Sequence, residues 1–246
     1  MKISNNTIKY IAVIAMTIDH IAFMFVPADT ALYFFMRLIG RLTAPLMSFC
    51  IAEGFHHTRN RLKYLARVIT FAVASQPLYF MMIFGRLPLN AVEFLTHWNV
   101  LYNFAVSLVI LLIFENVKPK NSLKPLKFLL IAILLIFSTF GDWGLFITAW
   151  VGIFHLCRNH AFWEKAMLFG VVSIFLTALL SPYFFSFGVL LSLIPLSMYS
   201  GMRDNGKTGG NKEHGKYRTA VNKWGFYLYY PLHTLVLILI KIYLKI

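Results

Sequence analysis

Long runs of apolar residues, separated by short polar connections, occupy most of this chain. The candidate membrane spans are residues 8–26, 31–53, 65–84, 98–116, 125–141, 144–157, 164–181, 185–200 and 223–243. None of these runs alternates apolar and polar residues over about ten positions, as the strands of a membrane barrel do. The longer runs match the roughly 17–25 residues of a membrane helix, and the short paired ones can be tilted or re-entrant. The pattern predicts an all-α, polytopic transmembrane bundle of about nine spans, in a single integral-membrane domain over residues 1–246.

Composition and charge agree with a membrane protein. Only 13% of the 246 residues are charged, about half the usual share of a soluble domain. With a cytoplasmic N-terminus, 18 of the 23 Lys and Arg residues fall on the cytoplasmic side, and Arg86, Lys241 and Lys245 fall on the other. This bias follows the positive-inside rule, so the net charge of +14 indicates a lipid bilayer as partner and no nucleic acid. The polar, glycine-rich residues 201–222 are predicted to form a flexible cytoplasmic loop.

The first span carries two ionisable residues near its middle, Asp19 and His20. An Asp at the centre of a membrane helix costs about 2.5–3.5 kcal/mol on insertion scales, and such residues usually mark functional sites. The same pair argues against a cleaved signal peptide, so the segment is predicted to be a retained anchor. Because an imidazole beside a carboxylate is a common general base, the pair is a candidate catalytic centre.

Further polar residues are predicted at similar depth on other spans. Arg37 and Arg41 are four residues apart and therefore share a helix face, while Asn103 and His233 lie within later spans. We expect a hydrated cavity in which Asp19 pairs with one of these arginines or with a histidine. The alternative is a structural ion pair, with the histidines as hydrogen-bonding links between helices.

A basic stretch follows the second span, and its cations are Arg59, Arg61 and Lys63. Side chains of this type could hold a nucleotide diphosphate, or they could serve as an orientation signal that touches anionic lipid. The neighbouring His56 and His57 have no ligand partners at metal-site spacing, and the two cysteines of the chain form no CxxC motif. The sequence therefore predicts no metal.

Several stretches together resemble the TraX family of bacterial inner-membrane proteins. They are residues 9–12 leading to Ile18-Asp19-His20, residues 38–45 (LIGRLTAP), residues 53–55 followed by residues 57–61, residues 64–67 and residues 226–233 (FYLYYPLH). The likeness runs the length of the chain and is most specific in the first 70 and last 25 residues. Ala44 stands where the family often has Phe before the proline, which is a packing difference.

The resemblance implies a membrane-embedded acetyltransferase in the bacterial inner membrane. The donor would be cytosolic acetyl-CoA, and the acceptor an amine or hydroxyl on a protein N-terminus or an envelope glycan, since the founding family member acetylates a pilin N-terminus. Two other classes stay open. A proton- or solute-coupled transporter would also have charged residues at the midplane, and a non-catalytic pilus or envelope assembly factor would need no base.

Acyl transfer needs a base, a group that stabilises the oxyanion, and a grip on the donor. We predict that His20 is the base, that Asp19 orients or charges it, and that His233 is a second base or relay. The predicted donor-binding residues are Arg41, Arg37, Arg59, Arg61 and Lys63, the last three at the CoA phosphates. The predicted substrate-binding residues are Asn103 and Tyr227.

Overall fold

The computed structural model describes residues 2–116, 124–181, 183–200 and 212–245, with residues 116 and 212–223 described by their backbone alone. The helices are α1 (Asn5–Phe25), α2 (Ala31–Gly40), α3 (Thr43–His57), α4 (Arg61–Phe84), α5 (Ala91–Thr96), α6 (Val100–Asn116), α7 (Lys124–Ser138), α8 (Leu145–Leu156), α9 (Phe162–Leu180), a 3₁₀ helix (Phe184–Ser192), α10 (Leu193–Ser197) and α11 (Lys212–Leu244). In these ranges the β pairing consists of two isolated bridges, Ile3 with Tyr199 and Trp98 with Gly141. The prediction of an all-α membrane protein is confirmed.

Each predicted span coincides with one helix or with a pair of consecutive helices. The segments long and apolar enough to cross a membrane are Asn5–Phe25, Ala31–His57, Arg61–Phe84, Phe162–Leu180 and Trp224–Leu244. The other predicted spans are shorter helices, so the count of nine crossings stays a prediction. Of the predicted loop at 201–222, residues 201–211 lie outside the described residues, and residues 212–222 are helical backbone at the start of α11.

The second predicted span is broken at Arg41 and Leu42, which separate α2 from α3. Gly40 ends α2, and glycine is a poor helix former. Pro45 lies in the first turn of α3, where proline is tolerated because the first N–H groups of a helix have no intrahelical partner. Because proline has no N–H, Pro45 could not donate to the Arg41 carbonyl if the helix were continuous. The break therefore has a local cause, and it places Arg41 at a helix end.

The chain folds as two compact units, one formed by residues 1–50 and 173–246 and the other by residues 51–172. In the first unit α1 packs against α2 and α11, and α2 packs against the 3₁₀ helix. Small buried residues on α1, Ala12, Ala15 and Ala22, allow neighbouring helices to come close, as is usual between membrane helices. The hydroxyl of Thr43 donates to the carbonyl of Ala12 (3.1 Å) and fixes the start of α3 against α1.

In the second unit α6 packs against α4, α7 and α8. Its polar connection is a buried amide pair: Nε2 of Gln76 donates to the carbonyl of His97 (2.6 Å), and Nδ2 of Asn99 donates to Oε1 of Gln76 (2.7 Å). The aromatic core includes Trp150 and Phe169, whose ring centroids are 5.7 Å apart.

Candidate functional site

Asp19 of α1 binds both arginines of the broken second span. Its Oδ2 lies 2.7 Å from Nη1 of Arg37, and its Oδ1 lies 3.0 Å from Nη2 of Arg41. All three side chains are about one-seventh exposed. The predicted pairing of Asp19 with Arg37 and Arg41 is present, and one carboxylate against two guanidinium groups gives the cluster a formal charge of +1.

Aromatic rings enclose this cationic cluster. The guanidinium carbons of Arg37 and Arg41 each lie 5.4 Å from the ring centroid of Phe185 in the 3₁₀ helix. Phe23 and Tyr33 lie 5.5 and 5.8 Å from the guanidinium carbon of Arg37. Contacts of this kind favour a cation held away from water. Sequence reasoning did not identify Phe185, because one Phe in an apolar segment carries no distinguishing signal.

His20 bonds to His233 of α11. Nδ1 of His20 lies 2.8 Å from Nε2 of His233, and Nδ1 of His233 lies 2.7 Å from the backbone carbonyl of Tyr229. A carbonyl only accepts, so Nδ1 of His233 carries the proton and Nε2 of a neutral His233 accepts from His20. The lone pair of His20 is thereby assigned to Nε2 by the hydrogen-bond network.

The hydrogen-bond partner of His20 is His233, and the role of orienting or charging this imidazole stays a prediction for Asp19. Consecutive residues on a helix point about 100° apart. Asp19 therefore faces α2 and its two arginines, while His20 faces α11. The carboxylate bonds to the two arginines, and Nε2 of His233 accepts from Nδ1 of His20. The role of second base or relay stays a prediction for His233.

Tyr229 is a site residue that the sequence analysis did not identify. Its ring stacks on His233 with centroids 5.0 Å apart, and its hydroxyl lies 2.6 Å from Oγ1 of Thr17, which itself donates to the carbonyl of Val13. Tyr229 lies four residues before His233, so helical spacing could have found it. The predicted substrate ligand Tyr227 is half-buried, with its ring 6.5 Å from that of Trp224.

The predicted CoA-binding cations lie in the second unit. Arg59 and Lys63 are exposed, and the backbone N–H of Lys63 donates to Oδ1 of Asn60, the N-cap of α4 (2.9 Å). Arg61 instead forms an ion pair with Glu115 and stacks on Phe55, with 4.2 Å between the guanidinium carbon and the ring centroid. Arg59 and Lys63 are thus available to a phosphate, whereas Arg61 is engaged within the protein.

Asn103, predicted to bind substrate, is fully buried. Its Nδ2 donates to the carbonyls of Ser138 (2.7 Å) and Gly144 (3.2 Å), and its Oδ1 accepts from the N–H of Trp143 (3.4 Å). Both amide hydrogens are therefore used to hold the turn between α7 and α8. Asn103 thus holds this turn in the structure, and its substrate-binding role stays a prediction.

His56 acquires partners that its sequence neighbours do not supply. Its imidazole stacks on that of His155 with centroids 4.6 Å apart, and Nε2 of His155 lies 3.2 Å from Oε1 of Glu115. The three residues come from α3, α8 and α6, which are distant in the chain. No spacing rule could have connected them, so the sequence argument against a metal ligand at His56 was incomplete.

Comparison with known proteins agrees with the predicted family. Residues 4–241 match the family described as TraX protein. A probable fimbrial assembly protein FimC, serogroup H1, of Dichelobacter nodosus is 34% identical over 254 aligned positions, which cover 97% of this chain and 96% of that protein. No solved structure matches the chain significantly. The apolar helices and this match over nearly the whole chain show that it is a membrane protein belonging to the TraX family.

Proposed function

We propose that this protein is an acetyl-CoA-dependent acetyltransferase of the bacterial inner membrane, with an amine or hydroxyl as acceptor. The observation that carries the proposal is the pairing of an oriented imidazole with a cationic cluster on one helix. His20 presents the Nε2 lone pair, and the adjacent Asp19 holds Arg37 and Arg41. A base beside a positive group is what acyl transfer requires.

In the proposed reaction, acetyl-CoA supplies an acetyl thioester. Nε2 of His20 takes a proton from the acceptor as the new C–N or C–O bond forms at the acetyl carbonyl carbon. The negative charge on the carbonyl oxygen is stabilised by Arg37 and Arg41. When the C–S bond breaks, the proton on His20 passes to the departing thiolate, which returns the imidazole to its starting state.

The proposed donor also suits the exposed cations of the second unit. CoA carries phosphate groups, and Arg and Lys side chains are their usual partners. Arg59 and Lys63 are exposed and stay candidate phosphate ligands of the second unit taken by itself, whereas Arg61 is engaged by Glu115.

Membranes from cells that make the protein, incubated with radioactive acetyl-CoA, test this proposal. We expect labelled protein or glycan with the wild type and none with His20→Ala. His160 provides a matched control because it is exposed and, within the described residues, its side chain pairs with Glu164 four residues away, at 2.8 Å. His160→Ala should label as the wild type does. Equal labelling in His20→Ala would contradict the proposal.

The name of the D. nodosus relative, a probable fimbrial assembly protein, favours a second candidate, a fimbrial assembly factor, and such a factor would need no catalysis. In that case no label would depend on this protein, and fimbriae would assemble normally in a His20→Ala, His233→Ala double variant. If His20→Ala loses both the label and fimbrial assembly, acetyl transfer would itself be the assembly function, with a fimbrial protein as the acceptor.

A further inference from the structure

Three side chains with metal-ligating atoms meet in the second unit, outside the proposed acetyl-transfer centre. They are His56 on the last turn of α3, Glu115 near the end of α6 and His155 near the end of α8. One ligand atom from each lies within 4.8 Å of the other two. Three helices that are far apart in sequence thus direct donor atoms to one place.

The closest pair already has the spacing of two ligands on one ion. Oε1 of Glu115 and Nε2 of His155 are 3.2 Å apart. Two ligands bound to a tetrahedral ion at about 2.0–2.1 Å lie roughly 3.3 Å from each other. The imidazole of His56 lies parallel to that of His155, and it supplies a third ligand atom within 4.8 Å of the other two.

Two imidazole nitrogens of this cluster are not hydrogen-bonded within the described residues. Nε2 of His56 and Nδ1 of His155 are buried, and neither has a hydrogen-bond partner in the described part of the chain. Burying a polar atom without a hydrogen-bond partner destabilises the fold. A cation bound to Nε2 of His56 would remove this cost for one of the two rings.

The surroundings leave one carboxylate oxygen for the cation. Oε2 of Glu115 is held by Arg61, and Oε1 faces His155. A partner behind the carboxylate orients it, as the outer shell of a metal site does. Nearby Arg158 lies 3.7 Å from Glu53, so the positive charges of both arginines are matched by carboxylates. Two imidazoles and one carboxylate suit Zn²⁺ better than Mg²⁺ or Ca²⁺, which prefer oxygen ligands.

We propose that His56, Glu115 and His155 bind a divalent cation of the Zn²⁺ class. Three protein ligands leave a fourth position open for water or another ligand. The ion ties together the ends of α3, α6 and α8, a link that the acetyl-transfer proposal does not need.

Metal content of the full-length protein tests the site. Protein purified in detergent, with any affinity tag removed, is stripped with a chelator, exposed to ZnCl₂, passed through a desalting column and assayed for zinc. We expect about one Zn²⁺ per chain in the wild type and in the control His160→Ala. His56→Ala and His155→Ala should retain little. Wild-type protein without stoichiometric zinc, or a His56→Ala, His155→Ala double variant with full zinc, would overturn the proposal.

Thermal unfolding provides a second measurement if a variant folds poorly. Zn²⁺ should raise the Tm of the stripped wild type and of Glu164→Gln, which alters the exposed His160 pair. It should leave the Tm of Glu115→Gln unchanged, because the amide is a much weaker ligand. An increase in Tm with MgCl₂ but not with ZnCl₂ would overturn the assignment of the cation class.

Discussion

Nδ1 of His20 lies 2.8 Å from Nε2 of His233, and this contact joins α1 to α11. Because Nδ1 of His233 is committed to the carbonyl of Tyr229, the direction of the His20–His233 bond is defined for neutral rings. His233 then does for His20 what a carboxylate does for the histidine of a catalytic triad, which is to fix its tautomer. The two imidazoles therefore have different roles, and substitutions can separate them.

Replacing His233 with Gln should preserve more activity than replacing it with Leu. The amide oxygen of Gln reaches about as far as Nε2 of His and can accept the proton of Nδ1 of His20, whereas Leu cannot. We expect Leu to reduce acetyl transfer roughly 10²–10⁴-fold and Gln to reduce it about tenfold. Initial rates of label transfer in membranes measure both variants. If the Leu and Gln variants lose the same acetyl-transfer rate and keep the wild-type Tm, then His233 does not act by accepting the hydrogen bond of His20.

Asp19→Asn should destabilise the protein as well as inactivate it. The substitution removes the carboxylate charge that pairs with Arg37 and Arg41 at a site that is mostly buried. Breaking such an ion pair costs about 3–5 kcal/mol, which corresponds to a Tm decrease on the order of 10 °C for a chain of this size. The temperature dependence of the monodisperse peak in detergent size-exclusion chromatography measures this change.

The exposed pair His160–Glu164 offers the matched control for Asp19→Asn. Its atoms approach to 2.8 Å, but water screens an exposed ion pair and its contribution is small. Glu164→Gln should therefore leave the Tm close to that of the wild type. If Asp19→Asn and Glu164→Gln unfold at the same temperature, the buried cluster is not a stabilising element.

Glu93, whose Oε1 lies 2.6 Å from Nη2 of Arg86, should titrate at unusually low pH. Side-chain hydrogen bonds from Arg86 lower the pKa of Glu93 to about 2, from an ordinary value of about 4.3. A carboxyl whose pKa is lower in the folded state contributes stability above its unfolded pKa and loses it as the pH falls towards the folded pKa. This contribution should therefore decline between about pH 4.3 and pH 2. Carboxyl ¹³C shifts, assigned with Glu93→Gln, measure the pKa, and Arg86→Gln should raise it. A Glu93 that titrates at its ordinary pKa would contradict the assigned pair.

The helices and the pairing of Asp19 could be predicted from the sequence for physical reasons. A long apolar run has few alternatives to a membrane helix, and a carboxylate inside it requires a cation. Arg37 and Arg41 were the only cations on the adjoining span. Helical spacing could also have identified Tyr229, because it shares a helix face with His233.

The remaining features depend on how separate helices meet, which periodicity does not encode. Phe185 is one apolar residue among many, and its place beside the arginines results from the packing of the 3₁₀ helix on α2. The approach of Glu115 and His155 to His56 likewise results from packing in the second unit. Gly40 appeared in the sequence only as part of a family-like stretch, although the structure gives it a specific steric role.

Gly40→Ala should disrupt the cationic cluster, because a Cβ built at Gly40 collides with the side chain of Asp19. Gly40 is buried, so the added methyl group cannot turn towards solvent, and either α2 or the carboxylate must move. We expect a lower Tm and reduced acetyl transfer. Gly170→Ala is the matched control, since among the described residues no atom outside the local helix lies within 4 Å of the added Cβ. That variant should be as stable as the wild type or more stable by about 0.5–1 kcal/mol, because alanine favours a helix more than glycine does. A Gly40→Ala protein with unchanged Tm and labelling would show that α1 and α2 are not held at this distance.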